Sequence, residues 1–306
     1  MVFLNKLLLF AIVGAALLLA IAAFALLLAI AFGSSSGSGL FLRDAVAIIP
    51  INSEISATRD QFYPVLSSGE IIEKIGEAEK DSAVAAILLD IDSPGGSVVA
   101  TKNIVARIRQ AKKPIVAYIN DIGASGAYYV AASTKYVVAD EDSLTGSIGV
   151  ISIVENYSGL LEKIGIDVNV FKEGKNKAMA NPFEQMTDEQ KQIWQGILSE
   201  AFQHFKRDIQ EYRTGRLDTA RFAEIADGRI LSGTQALDAG LIDKLGTKQD
   251  AIFKAAELAG IKGEPQTKDF SKKQLSILEA FSGAGYSFGF GFKKAMLSFE
   301  QGLKAQ

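Results

Sequence analysis

Asp121-Ile122-Gly123-Ala124-Ser125-Gly126-Ala127-Tyr128-Tyr129 is the stretch that decides the fold. An apolar run, Pro114 to Ile119, precedes it, and another, Ala127 to Ala132, follows. The order reads as strand, sharp turn, helix. Such a turn lifts a small hydroxyl clear of a sheet, and its glycines let the backbone bend and a substrate come close. Ser125 is therefore a candidate nucleophile. The full Gly-x-Ser-x-Gly elbow is not met, because Ala127 stands where the second glycine would be. The usual base for such a serine is histidine, but His204 is the single histidine of the chain and there is no cysteine. Lysine is the known substitute.

Outward from this turn, apolar runs alternate with helical patterns. Ala45–Ile51, Val84–Ile91, Pro114–Ile119, Tyr136–Val138, Ser147–Val154 and Val168–Phe171 read as strands. Helices are expected over Gly69–Lys80, Ser97–Lys112, Ser125–Ser133, Tyr157–Ile164 and Asp250–Ala259, with another in Gly233–Asp243 closed by Gly240. Strands lacking polar alternation, separated by helices, predict an α/β fold whose sheet is covered on both faces. A long helix follows Thr187, which forms a capping-box pattern with Gln190. Trp194, Leu198, Ala201, Phe205, Ile209 and Tyr212 recur along it at helical spacing as an apolar stripe. His204 lies beside that stripe and reads as an edge histidine.

Composition narrows the classes. Charged residues make up 22% and the net charge is −3, which gives no basic face for nucleic acid. One histidine and no cysteine exclude a multi-histidine or thiolate metal centre, and no phosphate-binding loop is present. Neither metal nor cofactor is expected. Leu7 to Phe32 carries no charge. It exceeds both the roughly 20 residues a bilayer core needs and the about 7–15 of a signal-peptide core, so it predicts a transmembrane anchor, although Ala29-Ile30-Ala31 would pass as a cleavage site. Lys6 before the run favours a cytoplasmic N-terminus and a catalytic domain on the extracytoplasmic side of the cell membrane. The expected organisation is an anchor over 1–32, a Gly/Ser linker over 33–44, a catalytic domain over 45–260, and a Gly/aromatic-rich tail over 261–306. The tail reads as poorly ordered or as a surface-seeking segment.

Three further pieces carry chemistry. Asp92-Ser93-Pro94-Gly95-Gly96-Ser97 joins a buried strand to a helix, where paired glycines can turn N–H groups into a cleft; a plain Pro-Gly turn is the other reading. Thr145-Gly146-Ser147-Ile148-Gly149-Val150 places Ser147 at a strand start. Phe171-Lys172-Glu173-Gly174-Lys175-Asn176-Lys177 offers three lysines, among which spacing does not choose.

The set, in this order, resembles the signal peptide peptidase A family: membrane-anchored serine–lysine peptidases of the Clp protease/crotonase fold. The likeness runs from about Ala45 to Leu245 and includes Asn181-Pro182-Phe183 and Met186-Thr187. It implies that Ser125 is the nucleophile and Lys177 the general base, the lysine three places after the glycine. It implies that Ser147 holds that lysine, and that Gly96 and Gly126 bind the oxyanion. Ala178 departs from the pattern, since an acidic residue commonly follows the lysine. Remnant signal peptides and other short, apolar, unfolded segments are the implied substrates. With one copy of the catalytic domain the chain looks like a short-chain member, which implies a ring-shaped homo-oligomer with serine and lysine from adjacent protomers. Competing expectations are a related protease that cuts one membrane partner such as a stomatin-like protein, an acyl-CoA enzyme of the same fold, and an inactive scaffold.

Overall fold

β1 (Ala45–Ile51), β4 (Val84–Ser93) and β5 (Ile115–Ala124) form the centre of a parallel sheet. Their side chains alternate between two apolar layers, so neither face can be left to water. Ala47, Ile49, Ile87, Leu89, Ile91 and Ile119 enter the larger core. Val46, Ala86, Leu88, Val116 and Tyr118 enter the second core on the other face. Fully burying one such Ile or Leu contributes about 1.5–3 kcal/mol. The structure is a computed structural model and describes residues 45–58 and 65–271. The expected anchor and linker, and the tail beyond Ser271, lie outside the described residues. Among the described residues no helix is long and apolar enough to cross a membrane.

Among the described residues the sheet has eight strands, six of them in the order β10-β1-β4-β5-β6-β9, with β6 at Tyr136–Ala139, β9 at Lys244–Leu245 and β10 at Gln266–Asp269. β10 pairs in parallel with β1, so the sheet continues into a stretch whose composition reads as tail. β7 (Leu144–Gly146) pairs with the end of β5, and β8 (Ile230–Ser232) pairs with β7. Two short strands, β2 (Glu54–Ser56) and β3 (Val65–Ser67), form a separate parallel pair.

Helices α1 (Ser68–Lys80), α2 (Val98–Arg109) and α3 (Gly126–Ala132) bring Ile71, Ile75, Ile104, Ile108 and Tyr128 to the larger core. Two short helices follow later, α4 (Ser158–Lys163) and α6 (Thr219–Ile225), on either side of the long α5 (Asp188–Tyr212). α7 (Gly233–Asp238) and α8 (Lys248–Ala259) close the fold, and α8 covers the second core with Ala251, Ile252 and Ala255. The Thr187–Gln190 capping box opens α5 as expected. Its stripe divides: Phe205 and Ile209 are buried, whereas Trp194 and Leu198 remain half-exposed.

Two predicted strands are absent. Residues 147–154 and 168–171 pair with no strand among the described residues. Gly146 (φ 74°) and Ser147 (φ 49°) turn the chain out of the sheet just after β7, so Ser147 follows a strand and does not open one. The apolar residues beyond find no strand to pair with among the described residues, and Ile153 and Phe171 are 81% and 95% exposed.

A buried ion pair ties the end of α5 to the sheet. Arg213 is fully buried, and its guanidinium donates to both oxygens of Asp243, at 2.8 and 3.0 Å, and to Gly240 O. Asp243 also accepts from Val137 N–H in β6 at 2.7 Å. Three guanidinium N–H groups of Arg213 thus find acceptors, and Asp243 also pairs with Arg216 at 3.2 Å, which offsets part of the cost of burying the pair.

Candidate active site

Ser125 sits between the last residue of β5 and the first of α3 with φ 52° and ψ −122°. An L-residue there is strained by roughly 1–3 kcal/mol, and such strain persists only where the surroundings hold it. Two hydrogen bonds do so: Ser125 N–H donates to Gly146 O, and Ser125 O accepts from Tyr129 N–H, both at 2.9 Å. Neighbouring contacts fix the support, since Thr145 Oγ1 donates to Gly123 O at 2.7 Å across β7 and β5.

The Pro-Gly segment after β4 lies alongside. Ile55 in β2 bridges to Gly96, with Ile55 N–H donating to Gly95 O and Ser97 N–H donating to Ile55 O, both at 2.8 Å. A parallel bridge of this kind uses the groups on either side of Gly96, so the N–H of Gly96 itself points away from β2. Gly126 is the first residue of α3, and its N–H has no partner within the helix. The two groups are close, for a Cβ added to Gly126 would stand 3.2 Å from Gly96 N. Gly95 (φ 112°) and Gly96 (φ 148°) have backbone conformations that other residues rarely adopt. Ser93, buried, pins the turn: its hydroxyl donates to Ser53 O at 2.6 Å and accepts from Gly95 N–H at 3.2 Å. The Gly96 and Gly126 N–H groups thus lie close together at the turn that carries Ser125.

Gly96, Ser125 and Gly126 line one cleft, together with Val98, Thr101 and Lys102 of α2, Tyr129 of α3, Gly149, Val150, and Ala201 and Phe205 of α5. Tyr129 anchors the floor. Its ring meets Phe205 edge-on at 5.3 Å, and its hydroxyl donates to Asp208 at 2.7 Å. Burial, then the hydrogen bonds with Tyr212 and Asp208, push the Tyr129 phenol far above its ordinary range. Burial alone would raise the Asp208 carboxyl, but hydrogen bonds from Tyr129 and Arg207 outweigh it and hold the group below the usual carboxylate range.

Ser147 and Lys177 do not line this cleft. Ser147 adjoins Gly146, the acceptor for Ser125 N–H, and its own N–H donates to Arg229 O at 2.8 Å. Lys177 lies on a turn closed by its N–H to Gly174 O, and its side chain is exposed. Lys172 pairs with Glu184 and Lys175 with Glu189, whereas Lys177 makes no ion pair with any described residue. Sequence reasoning missed Ile55, Ser93, Tyr129 and Lys102.

Comparison with known proteins agrees with this geometry. The model for peptidase family S49 matches residues 107–262, and that for the NfeD1b N-terminal domain matches residues 45–161. A protein of Methanocaldococcus jannaschii named as a protease is 36% identical over 227 residues, covering 74% of this chain and 71% of that one. The chloroplastic serine protease SPPA of Arabidopsis thaliana is 30% identical over 253 residues, covering 80% of this chain and 37% of that one. A mutant of the 1510-N membrane-bound stomatin-specific protease superposes with a TM-score of 0.50 at 16% identity, over 76% of this chain and 100% of that one, which speaks for the fold alone. With the strained serine, the paired N–H groups and these relatives together, the chain belongs to peptidase family S49 and is a serine peptidase of the SppA family.

Proposed function

We propose that this protein is a membrane-anchored endopeptidase that hydrolyses remnant signal peptides and other short, unfolded, apolar segments through Ser125 and Lys177. The observation that carries the reading is Ser125 held at φ 52° beside the N–H groups of Gly96 and Gly126. Neutral Lys177 takes the proton from Ser125 Oγ, which bonds to the scissile carbonyl carbon. The two N–H groups receive the charge that forms on the carbonyl oxygen, and losing one such donor costs about 10²–10³ in rate. The lysine gives its proton to the leaving amine as the C–N bond breaks. Water, deprotonated by the same lysine, then attacks the ester and returns Ser125 to its hydroxyl form. Ser147 orients the amine.

Lys177 reaches a serine of an adjacent copy in a homo-oligomeric ring. Two features support this: Lys177 is absent from the cleft of its own chain, and the segment 151–183 turns Ile151, Ile153, Leu160 and Phe171 to solvent. Several large apolar side chains exposed on one segment are the kind of surface that marks an interaction face. Residues 7–32 serve as the anchor, with the catalytic part on the extracytoplasmic side, where released signal peptides lie.

The test uses the full-length protein in detergent, given an unfolded protein and a short apolar peptide, beside Ser125→Ala and Lys177→Ala. Cleavage by wild type, with both variants inert yet folded and assembled, supports the dyad. Loss in Ser125→Ala alone moves the base to another lysine. A second reading is cleavage of one dedicated membrane partner, suggested by the name of the structurally similar 1510-N stomatin-specific protease. Wild type that takes up a fluorophosphonate at Ser125 but ignores generic peptides would support it.

A further inference from the structure

Among the described residues Lys102 is the one lysine that lines the Ser125 cleft, and its side chain is half-buried there. Structural roles do not account for it. Helix α2, Val98 to Arg109, contains no Asp or Glu, so no ion-pair partner exists at helical spacing. Lys102 stands just past the first turn, at the end where the helix dipole disfavours a cation. Its charge acts on Asp208 through space. Yet both oxygens of Asp208 are taken, one by Tyr129 and the other by two N–H groups of Arg207. Lys102 makes no hydrogen bond or ion pair with any described residue. A cation so placed is a donor without an acceptor, set beside apolar walls that include Val98, Val150 and Phe205.

We propose that Lys102 is a specificity-determining residue: it draws into the cleft a side chain with an apolar stem and an acceptor end, glutamate above glutamine, flanking the scissile bond. The walls pack against the methylenes of that side chain, and the ammonium supplies the hydrogen bond to its tip. The inference rests on the peptidase reading of Ser125, and adds a preference that an apolar cleft alone would not have. A hydrogen bond to a charged group is worth about tenfold to a hundredfold in discrimination.

The test takes the full-length protein in detergent and a mixture of unfolded peptides, with cleavage sites mapped by mass spectrometry. Matched quenched peptides carrying Leu, Gln or Glu at the preferred flanking position then give kcat/KM ratios. Wild type is expected to enrich Glu and Gln at one flanking position. In Lys102→Met the Glu-to-Leu ratio is expected to fall about tenfold to a hundredfold, and in Lys102→Glu the preference is expected to turn toward Lys and Arg. No enrichment in wild type, or an unchanged ratio in both variants, overturns the proposal. So does loss of all cleavage by folded variants that still assemble, which would put Lys102 in the chemistry itself. Wild type that cuts nothing and fails to take up a fluorophosphonate at Ser125 would instead sink the peptidase reading and this inference with it.

Discussion

Ile55 and Gly96 face each other across a parallel β-bridge, which fixes the segment carrying the Gly96 N–H from the side opposite Ser125. A two-residue contact thus positions a group that the proposed chemistry uses. The bridge also leaves no room, since a Cβ on Gly96 would overlap Ile55 O.

Gly96→Ala tests that relationship. The methyl must push the segment off β2, and φ 148° adds strain. Fluorophosphonate labelling of Ser125 and kcat/KM are expected to fall by about 10²–10³, the cost of one oxyanion donor. Labelling at the wild-type rate would show that the Gly96 N–H takes no part.

Asp243→Asn should be a stability lesion. It leaves the fully buried Arg213 charge without a counter-charge, and removing one partner of such a pair costs about 3–5 kcal/mol. Urea unfolding should show a lower midpoint with an unchanged slope. An unchanged midpoint would mean that Arg213 finds compensation elsewhere.

The Tyr129–Asp208 contact predicts a limb of the acid denaturation curve. Asp208 has its folded pKa lowered, so it contributes stability above the unfolded carboxylate value of about 3.9, and that contribution is lost as pH falls through the folded value. Tyr129→Phe removes one donor and should destabilise by about 1–3 kcal/mol near neutral pH. It should also narrow the gap between folded and unfolded values, so less stability is lost on acidification below about pH 4. Parallel acid limbs in wild type and variant would contradict the assignment.

Complementation tests whether the dyad is shared between copies. Ser125→Ala and Lys177→Ala are each expected to be inert. Co-assembled in equal amounts, they should regain up to about a quarter of wild-type activity, because in a head-to-tail ring that share of sites pairs an intact serine with an intact neighbouring lysine. No recovery from proven mixed assemblies would place both groups in one chain.

The central part of the fold was legible in residues. Ala45–Ile51, Val84–Ile91 and Pro114–Ile119 are apolar without alternation, and only burial on both faces tolerates that. The start of α5 was legible because the Thr187–Gln190 box is a local hydrogen-bond pattern. Ser147–Val154 misled, because apolar residues exposed on a projecting segment read like those of a strand. β2, β3, β7 and β8 escaped notice because strands of three residues are too short for periodicity to register.

For the site, the sequence by itself determined which groups could react: a serine in a glycine-rich turn, paired glycines before a helix, lysines where histidine is scarce. Those are properties of residue type and local backbone freedom, which neighbours along the chain disclose. Tertiary structure alone decided that Gly96 and Gly126 converge on Ser125, that Lys102 shares their cleft, and that Lys177 does not. Each of those follows from long-range pairing, of β2 with the Gly96 segment and of β7 with β5. Residues far apart in the chain meet there because the buried sheet fixes their register, and no local pattern encodes that distance.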